Sequence, residues 1–207
     1  VAGAEFASIQ PDSITITCDL ADRADIATAA EQIKAKTTWI AGIVHNAGII
    51  SPIKPMAEVD RADWAKNIQI NLVGVQDLTN RLIPVMGGKQ QSRITTISSG
   101  ASLNPVSGWS AYCVAKAGLD MWSKCLALEG SENNISSISV APGIVDTDMQ
   151  KTIRSSNEND FPSHKTFVEL HNDGQLVQPK LVAEKLSPLI TDHSMEQSGM
   201  RFDVREL

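Results

Sequence analysis

Short runs of apolar and β-branched residues recur along the chain and are typical of β-strands. They occupy residues 14–17, 40–44, 93–97, 135–140 and 199–204. Between them, apolar residues follow the spacing of one helix face over residues 22–36, 60–86, 109–129 and 180–190. This alternation predicts an α/β fold with a doubly wound, mostly parallel sheet. The continuous apolar run at residues 40–44 is expected to be a central strand covered on both faces.

Residues 147–178 show neither of these periods. They are polar and contain proline, glycine, asparagine and serine without regular spacing. A long stretch of this kind inside a compact domain is typical of a functional loop. We therefore expect the chain to make an excursion from the sheet at this point.

The composition fits one domain and narrows the classes of function. The chain has 207 residues, of which 42% are hydrophobic and 20% charged, and its net charge is −6. Because the basic residues form no cluster, a nucleic-acid partner is not expected. No apolar stretch has the length that spans a bilayer, so a cytoplasmic protein without membrane contact is expected. The cysteines and histidines lack the spacing of metal ligands, so neither disulfides nor a metal site is expected.

Small and polar residues follow three of the predicted strands. These motifs are Asn46-Ala47-Gly48, Ser98-Ser99 and Pro142-Gly143. Ligands of open α/β sheets bind at the carboxyl ends of the strands, so the three motifs are predicted to share one binding edge. Each motif alone is also a common turn, and it is their joint placement that indicates a site.

Tyr112 and Lys116 stand four residues apart in the helix predicted over residues 109–129. This spacing places both side chains on one helix face, with the phenol beside the ammonium. A nearby positive charge stabilises a phenolate, so Lys116 is expected to lower the pKa of Tyr112. Ordinary solvated helices show the same spacing, but the strand-end motifs favour a tyrosine that exchanges protons.

Together these residues resemble the short-chain dehydrogenase/reductase family, a Rossmann-type group that uses NAD(P). The family pattern joins an Asn-Ala-Gly turn, a helical Asn, a Ser and a Tyr-x-x-x-Lys pair, and its order and spacing agree here over residues 14–204. The resemblance implies the catalytic residues Asn71, Ser99, Tyr112 and Lys116. It implies a cofactor site of Asp19, Asn46, Ala47, Gly48, Tyr112, Lys116, Pro142, Gly143, Val145 and Thr147. For Asp19, capping of the following helix is the simpler alternative.

The resemblance also implies a reaction. Tyr112 would donate a proton to a carbonyl oxygen held by Ser99, while hydride comes from the nicotinamide. Lys116 would bind the nicotinamide ribose, and Asn71 would hold a water that resupplies the proton. Residues 99–102, 108–112 and 141–151 are similar to the branch that contains fungal (S)-benzoin-forming benzil reductases and, more distantly, sepiapterin reductases. That likeness implies reduction of a ketone or diketone with NADP, NAD being the alternative, in a full-length form that is a homo-oligomer.

One part of the family pattern has no counterpart in the sequence. The glycine-rich turn T-G-x-x-x-G-x-G, which holds the cofactor pyrophosphate, belongs upstream of residue 14. Since the chain starts at Val1, we expect residues 1–207 to form a single Rossmann-type reductase domain without its first βαβ unit, with residues 147–178 as the substrate loop. An alternative is a cofactor-deficient member that acts as a non-catalytic binding or regulatory protein. A serine hydrolase is disfavoured, because Ser99 has no G-x-S-x-G elbow.

Overall fold

Four parallel strands form the sheet in the part of the chain that the computed structural model describes, which is residue 10 and residues 12–207. Residues 1–9 and 11, at the start of the predicted domain, lie outside the described residues. The strands are β1 (Gly42–His45), β2 (Ser92–Ile97), β3 (Ile135–Ala141) and β4 (Arg201–Asp203), and they neighbour one another in this order. All pairings are parallel, which confirms the predicted α/β sheet. Among the described residues, no helix is sufficiently long and apolar to cross a membrane.

Helices cover both faces of this sheet. They are α1 (Arg23–Lys34), α2 (Arg61–Ile68), α3 (Gly74–Leu82), α4 (Ser110–Gly130), α5 (Asp148–Arg154), α6 (His164–Asn172) and α7 (Pro179–Asp192). On one face, Ile94 belongs to a buried cluster with residues of α1, α3 and α4. On the opposite face, Ile138 packs with Val182 and Leu186 of α7. The core therefore has two halves, one on each side of β2 and β3.

The strand predicted at residues 14–17 is not formed. Residues 13–19 have no regular structure, and Ile14 is 61% exposed. A strand needs a neighbour for its N–H and C=O groups, and no strand of the described residues pairs with this segment. No described strand pairs with the other side of β1 either. β1, which was predicted to be central, is therefore an edge strand of the described sheet, and Val44 is 46% exposed. Both segments have strand propensity, but only β1 has a neighbouring strand to pair with, and only β1 forms a strand.

The single long helix predicted over residues 60–86 is interrupted. After α2 the chain forms a π-helical turn over Gln69–Val73, then α3, and finally a 3-10 turn at Ile83–Val85. π-helical turns are rare and often occur at functional sites. This one contains Asn71, a residue that the family resemblance places in the site.

The interruption lies where the segment before α1 meets the helix. The Leu20 carbonyl accepts a hydrogen bond from Gln69 Nε2 at 3.3 Å and lies directly against Gly74. A Cβ at residue 74 would collide with that oxygen, so glycine permits an approach that other residues would block. This contact brings the region of Asp19 onto the π-helical turn.

The excursion predicted at residues 147–178 contains two short helices, α5 and α6, which the sequence pattern did not reveal. Ile153, Phe161 and Phe167 of this segment join a buried cluster with Trp109 and Tyr112. Short helices are marginal by themselves, so this packing is what stabilises them. The excursion thereby covers Tyr112.

Two buried histidines connect elements of the core in their neutral form. His45 Nε2 lies 2.7 Å from Oγ1 of Thr79, whose hydroxyl donates to the Val75 carbonyl. Since the Thr79 proton is used, His45 carries its own proton on Nε2. Burial lowers the pKa of His45 to about 4. Burial also lowers the pKa of His193, whose Nε2 lies 3.0 Å from Ser136 Oγ.

The free energy of unfolding is expected to fall as the pH drops from about 6.5 toward about 5. Both buried histidines have a lower pKa in the folded protein than in the unfolded chain, so the unfolded chain binds more protons in this window. Each can contribute up to about 1.4 kcal/mol per pH unit. Thermal melting across this window should show a smaller slope for His193→Gln than for the native protein. Constant melting temperatures in the native protein would contradict the prediction.

Candidate active site

The three strand-end motifs leave the same edge of the sheet. β1 and β2 stay paired up to His45, and β2 and β3 stay paired up to Ile97. Because these strands are parallel neighbours, the segments that begin at Asn46, Ser98 and Pro142 emerge side by side. Asn46 and the following Ala47 are exposed there. The structure thus brings together the motifs that the sequence pattern placed after separate strands.

The amino end of α4 carries Tyr112 and Lys116 on its buried face. Together with Asp120 they recur every fourth residue, and the three residues are 6%, 4% and 6% exposed. The ring of Trp109 meets Tyr112 edge to face, with centroids 5.8 Å apart. The predicted pair therefore lies on one helix face, and that face is not a solvated surface.

The Lys116 side chain is hydrogen-bonded to the carboxyl end of β2. Its Nζ donates to the Ile97 carbonyl at 2.6 Å and lies 5.7 Å from the centroid of the Tyr112 ring. Burial lowers the pKa of Lys116 to about 8, and the Asp120 carboxylate opposes that effect. The ammonium is therefore charged at neutral pH and loses its charge in mildly alkaline solution.

The pKa of Tyr112 is raised, which corrects the expectation that Lys116 lowers it. Burial is the main cause, because a phenolate is poorly solvated inside an aromatic cluster. The Ser99 side chain next to the phenol acts in the opposite direction and lowers the pKa of Tyr112 by less. Lys116 directs its ammonium to Ile97 and does not compensate. Tyr112 is accordingly a neutral phenol that keeps its proton in this structure.

Asn71 holds the turn that follows β1. Its Oδ1 accepts from the Ile49 N–H at 2.9 Å, and its Nδ2 donates to the Ile49 carbonyl at 2.8 Å. Nδ2 also donates to Asn67 Oδ1 at 2.7 Å, so both amide protons are used. The water expected on Asn71 therefore has no donor available on this side chain. Gly48 packs against Asn71 Oδ1, and a Cβ there would come within 2.8 Å of it.

Asn67 is a site residue that the sequence analysis missed. It is fully buried, and its Nδ2 contacts the carbonyls of residues 49–51, the shortest distance being 2.8 Å to Ser51. Asn67 and Asn71 together fix this turn. A signal was present, because two asparagines four residues apart lie on one helix face, which is unusual for a buried stripe.

Ser98 and Ser99 present hydroxyl groups at the end of β2. Ser99 has an extended backbone, and its Oγ accepts from the Ala101 N–H at 3.2 Å in addition to its contact with Tyr112. Ser98 is buried, and within the described chain its Oγ has no hydrogen-bond partner. Buried hydroxyls normally find partners, so unused polar groups at this edge indicate a place for a ligand.

The segment after β3 completes the edge. Gly143 has a φ of +76°, in the left-handed region that glycine adopts readily. Val145 forms a bridge with Val177 of the excursion, and Thr147 Oγ1 lies 3.4 Å from the Val145 carbonyl. A cavity of about 370 Å³ lies beside this segment, lined by Asp146, Thr147, Asp148, Lys151 and Pro179.

Asp19 does not cap α1, so the simpler role weighed for it is wrong. Asp22 is the capping residue, and its side chain accepts from the N–H groups of Ala24 and Asp25. Asp19 is exposed, and its Oδ1 accepts from the Ala21 N–H at 2.8 Å. Its carboxylate remains accessible to a ligand.

The known proteins that this chain resembles belong to one family. Residues 2–158 match the family described as short chain dehydrogenase. A benzil reductase ((S)-benzoin forming) of Bacillus cereus is 35% identical over 158 residues, which cover 75% of this chain and 64% of that protein. A benzil reductase ((S)-benzoin forming) of Saccharomyces cerevisiae is 32% identical over 180 residues, which cover 83% of this chain and 68% of that protein. The chain thus spans about two thirds of the length of these relatives.

A solved structure has the same arrangement of strands and helices. The crystal structure of a short chain dehydrogenase/reductase from Saccharomyces cerevisiae superposes with a TM-score of 0.88 at 26% identity. The match covers 97% of this chain and 80% of that chain. The parallel sheet and its flanking helices are therefore those of a known Rossmann-like fold.

Proposed function

Since this chain belongs to the short-chain dehydrogenase family, we propose that it is an NAD(P)H-dependent oxidoreductase that reduces a ketone or diketone carbonyl to an alcohol. The observation that carries the proposal is the meeting of Ser99, Tyr112 and Lys116 at the carboxyl edge of the sheet. A hydroxyl, a phenol and an ammonium are all hydrogen-bond donors, which suits an oxygen that gains negative charge. The oxidoreductase names of the relatives favour an enzyme over a non-catalytic binding protein.

The polar groups at this edge fit the nicotinamide end of the cofactor. Ser98 Oγ is buried without a partner in the described chain, and it adjoins the Ile97 carbonyl that holds Lys116. We assign the cofactor contacts to Asn46, Ala47, Gly48, Tyr112, Lys116, Pro142, Gly143, Val145 and Thr147, with Asp19 toward the adenine. When bound, the reduced nicotinamide would supply hydride to the carbonyl carbon. On the likeness to the benzil reductase branch we propose NADP, with NAD as the alternative.

Tyr112 acts as the proton donor in this proposal. The burial that raises its pKa keeps the phenol protonated until an alkoxide, a much stronger base, forms beside it. Ser99, which already contacts the phenol, donates a hydrogen bond to the same substrate oxygen. A positioned general acid contributes about 10²–10⁴-fold to the rate.

Lys116 stabilises the phenolate that Tyr112 leaves behind. Its ammonium is 5.7 Å from the ring centroid, near enough to favour negative charge on the phenol oxygen inside a poorly solvated site. Asn67 and Asn71 act indirectly, because they hold residues 49–51, and the preceding Gly48 lies close to the ammonium. The raised pKa of resting Tyr112 and its role as an acid are therefore compatible.

The aromatic cluster next to Tyr112 favours an aryl ketone or aryl diketone as substrate. Trp109 stacks on Phe161 at a centroid distance of 5.2 Å, and Phe167 tilts against Trp109 at 5.3 Å. Phe167 keeps part of its ring exposed, and a phenyl group packs well against such a surface. Benzil carries two phenyl groups on a diketone, in agreement with the names of the relatives.

The test is turnover by the purified protein. With NADPH and benzil we expect oxidation of the nicotinamide and formation of benzoin, in equal amounts, with chiral chromatography identifying the enantiomer. NADH should support a lower kcat/KM. The absence of NADPH binding, measured by its fluorescence, together with no reduction of aryl or alkyl diketones would favour the cofactor-deficient, non-catalytic alternative.

A further inference from the structure

A buried ion pair connects three elements of the site and lies outside the residues assigned above. Arg201, the first residue of β4, donates from Nε to Asp120 Oδ2 at 3.1 Å. Its second terminal nitrogen, Nη2, donates to the Ser99 carbonyl at 3.0 Å. The two side chains are only 16% and 9% exposed. One guanidinium thus joins α4, β4 and the segment that follows β2.

The position of Asp120 relates this pair to the chemistry of the site. Asp120 lies one helical turn beyond Lys116 on the same buried face of α4 that carries Tyr112. Its Oδ1 has no hydrogen-bond partner among the described residues, so its charge is balanced by the guanidinium of Arg201, which bonds Oδ2, and by the Lys116 ammonium one turn away. Buried charges are costly, and the energy of such a pair alone gives little reason to retain it.

The geometry of arginine explains what the pair can do. A guanidinium is planar and presents its donors at fixed angles, so two acceptors bonded to it are held at a fixed separation. The Ser99 carbonyl also accepts from the N–H and the hydroxyl of Ser102, at 3.1 and 2.8 Å, but those bonds stay within its own turn. Arg201 adds a charged contact that connects the backbone of this turn to Asp120 on the helix of Tyr112.

We propose that Arg201 and Asp120 are positioning residues that set the separation of Ser99 and Tyr112, and thereby align two donors on one substrate oxygen. The inference rests on the proposed reductase function, because it assigns the pair a part in that reaction. An alternative is that the pair only holds the fold together. The two readings differ in whether the effect of Arg201 depends on Ser99.

Arg93 provides a matched comparison at the other end of the sheet. Its Nε donates to the His193 carbonyl at 2.9 Å, its guanidinium is 3.6 Å from the Asp192 carboxylate, and its side chain is 22% exposed. Arg93 therefore makes the same kind of bridge between a carbonyl and a carboxylate. It stands near the amino end of β2, whereas Ser99 follows the carboxyl end.

The experiment is a double-mutant cycle in the reduction assay. Arg201→Lys keeps a charge beside Asp120 but loses the fixed pair of donors, so kcat should fall about tenfold with less than about a twofold change in KM. Arg93→Lys should leave kcat unchanged. In a Ser99→Ala background, Arg201→Lys should cause no further loss, because its contact acts through Ser99. Equal losses in both backgrounds, or an equal loss from Arg93→Lys, overturn the proposal.

A second readout does not need turnover. Tyr112 is the only tyrosine among the 207 residues, so a tyrosine labelled with ¹³C at Cζ gives one NMR signal. That signal should shift in Arg201→Lys and in Ser99→Ala and stay in place in Arg93→Lys. Asp120→Asn should shift the signal as Arg201→Lys does. It replaces Arg201→Lys in the test if that variant does not fold. An unmoved signal in a folded Arg201→Lys or Asp120→Asn variant overturns the inference, whereas full activity of Ser99→Ala overturns the reductase mechanism itself.

Discussion

Replacing Tyr112 with phenylalanine is expected to lower kcat/KM for ketone reduction by about 10²–10⁴-fold. Phenylalanine keeps the ring but has no proton to give to the substrate oxygen. The fold should survive, because the edge-to-face contact with Trp109 and the packing in the aromatic cluster need only the ring. Steady-state oxidation of NADPH with benzil measures the loss, and thermal melting checks the fold.

The adjacent Cys113 supplies the control for this substitution. Its thiol is partly buried beside the same aromatic cluster, but it lies outside the proposed proton path. Cys113→Ser should retain kcat/KM within about threefold, the usual range for a substitution that touches no reacting group. If Tyr112→Phe and Cys113→Ser reduce benzil at similar rates, Tyr112 is not the acid.

Replacing Lys116 with methionine is expected to lower kcat by about 10²–10³-fold, the range seen when one electrostatic donor is removed from an active site. Methionine has a similar length and suits the buried surroundings, so the change mainly removes the charge that would stabilise the Tyr112 phenolate. The Ile97 carbonyl also loses its donor. Because Lys116 is a proposed ribose contact, the KM for NADPH should rise as well.

The pH dependence of kcat tests whether the loss of activity in Lys116→Met comes from the missing positive charge. Burial lowers the pKa of Lys116 to about 8, so its ammonium is lost as the pH rises through that value and kcat of the native protein should decline there. The residual activity of Lys116→Met should lack this alkaline decline. Lys124→Met, which alters an exposed lysine of the same helix, should keep both the rate and the profile. Native-like kcat in Lys116→Met would rule out the proposed role.

Local patterns were enough to predict the sheet and the edge at which the three strand-end motifs meet. Residues 93–97 and 135–140 are short strand-like runs separated by a helical stretch, which predicts parallel neighbours whose carboxyl ends share one edge. The placement of Tyr112 and Lys116 on one helix face follows from helix geometry alone. These features depend on neighbouring residues, so the amino-acid sequence shows them directly.

Features that depend on contacts between distant segments were predicted wrongly. Residues 14–17 have the propensity of a strand, but a strand forms only beside a partner. The π-helical turn at Gln69–Val73 lies where the Leu20 carbonyl packs against Gly74. The residues near position 69 give no indication of that contact. The pKa of Tyr112 rises because Phe161 and its neighbours bury the phenol, and that cover comes from a segment without a helical period.

Asn67 and Arg201 were both absent from the residues predicted from the sequence, but only Asn67 could have been predicted. Asn67 stands four residues before Asn71, and two asparagines on one helix face are a readable signal. Arg201 gives no such signal, because its partner Ser99 lies 102 positions earlier in the chain. Only the folded chain brings this arginine to the site.

The rate of hydride transfer in a single turnover tests most directly the central claim, that Tyr112 protonates the substrate oxygen. Protein in excess over NADPH is mixed rapidly with benzil, and the fast loss of nicotinamide absorbance reports chemistry apart from product release. The native protein and Cys113→Ser should show the same fast phase, and Tyr112→Phe should slow it by about 10²–10⁴-fold. An equally fast phase in Tyr112→Phe would contradict the account.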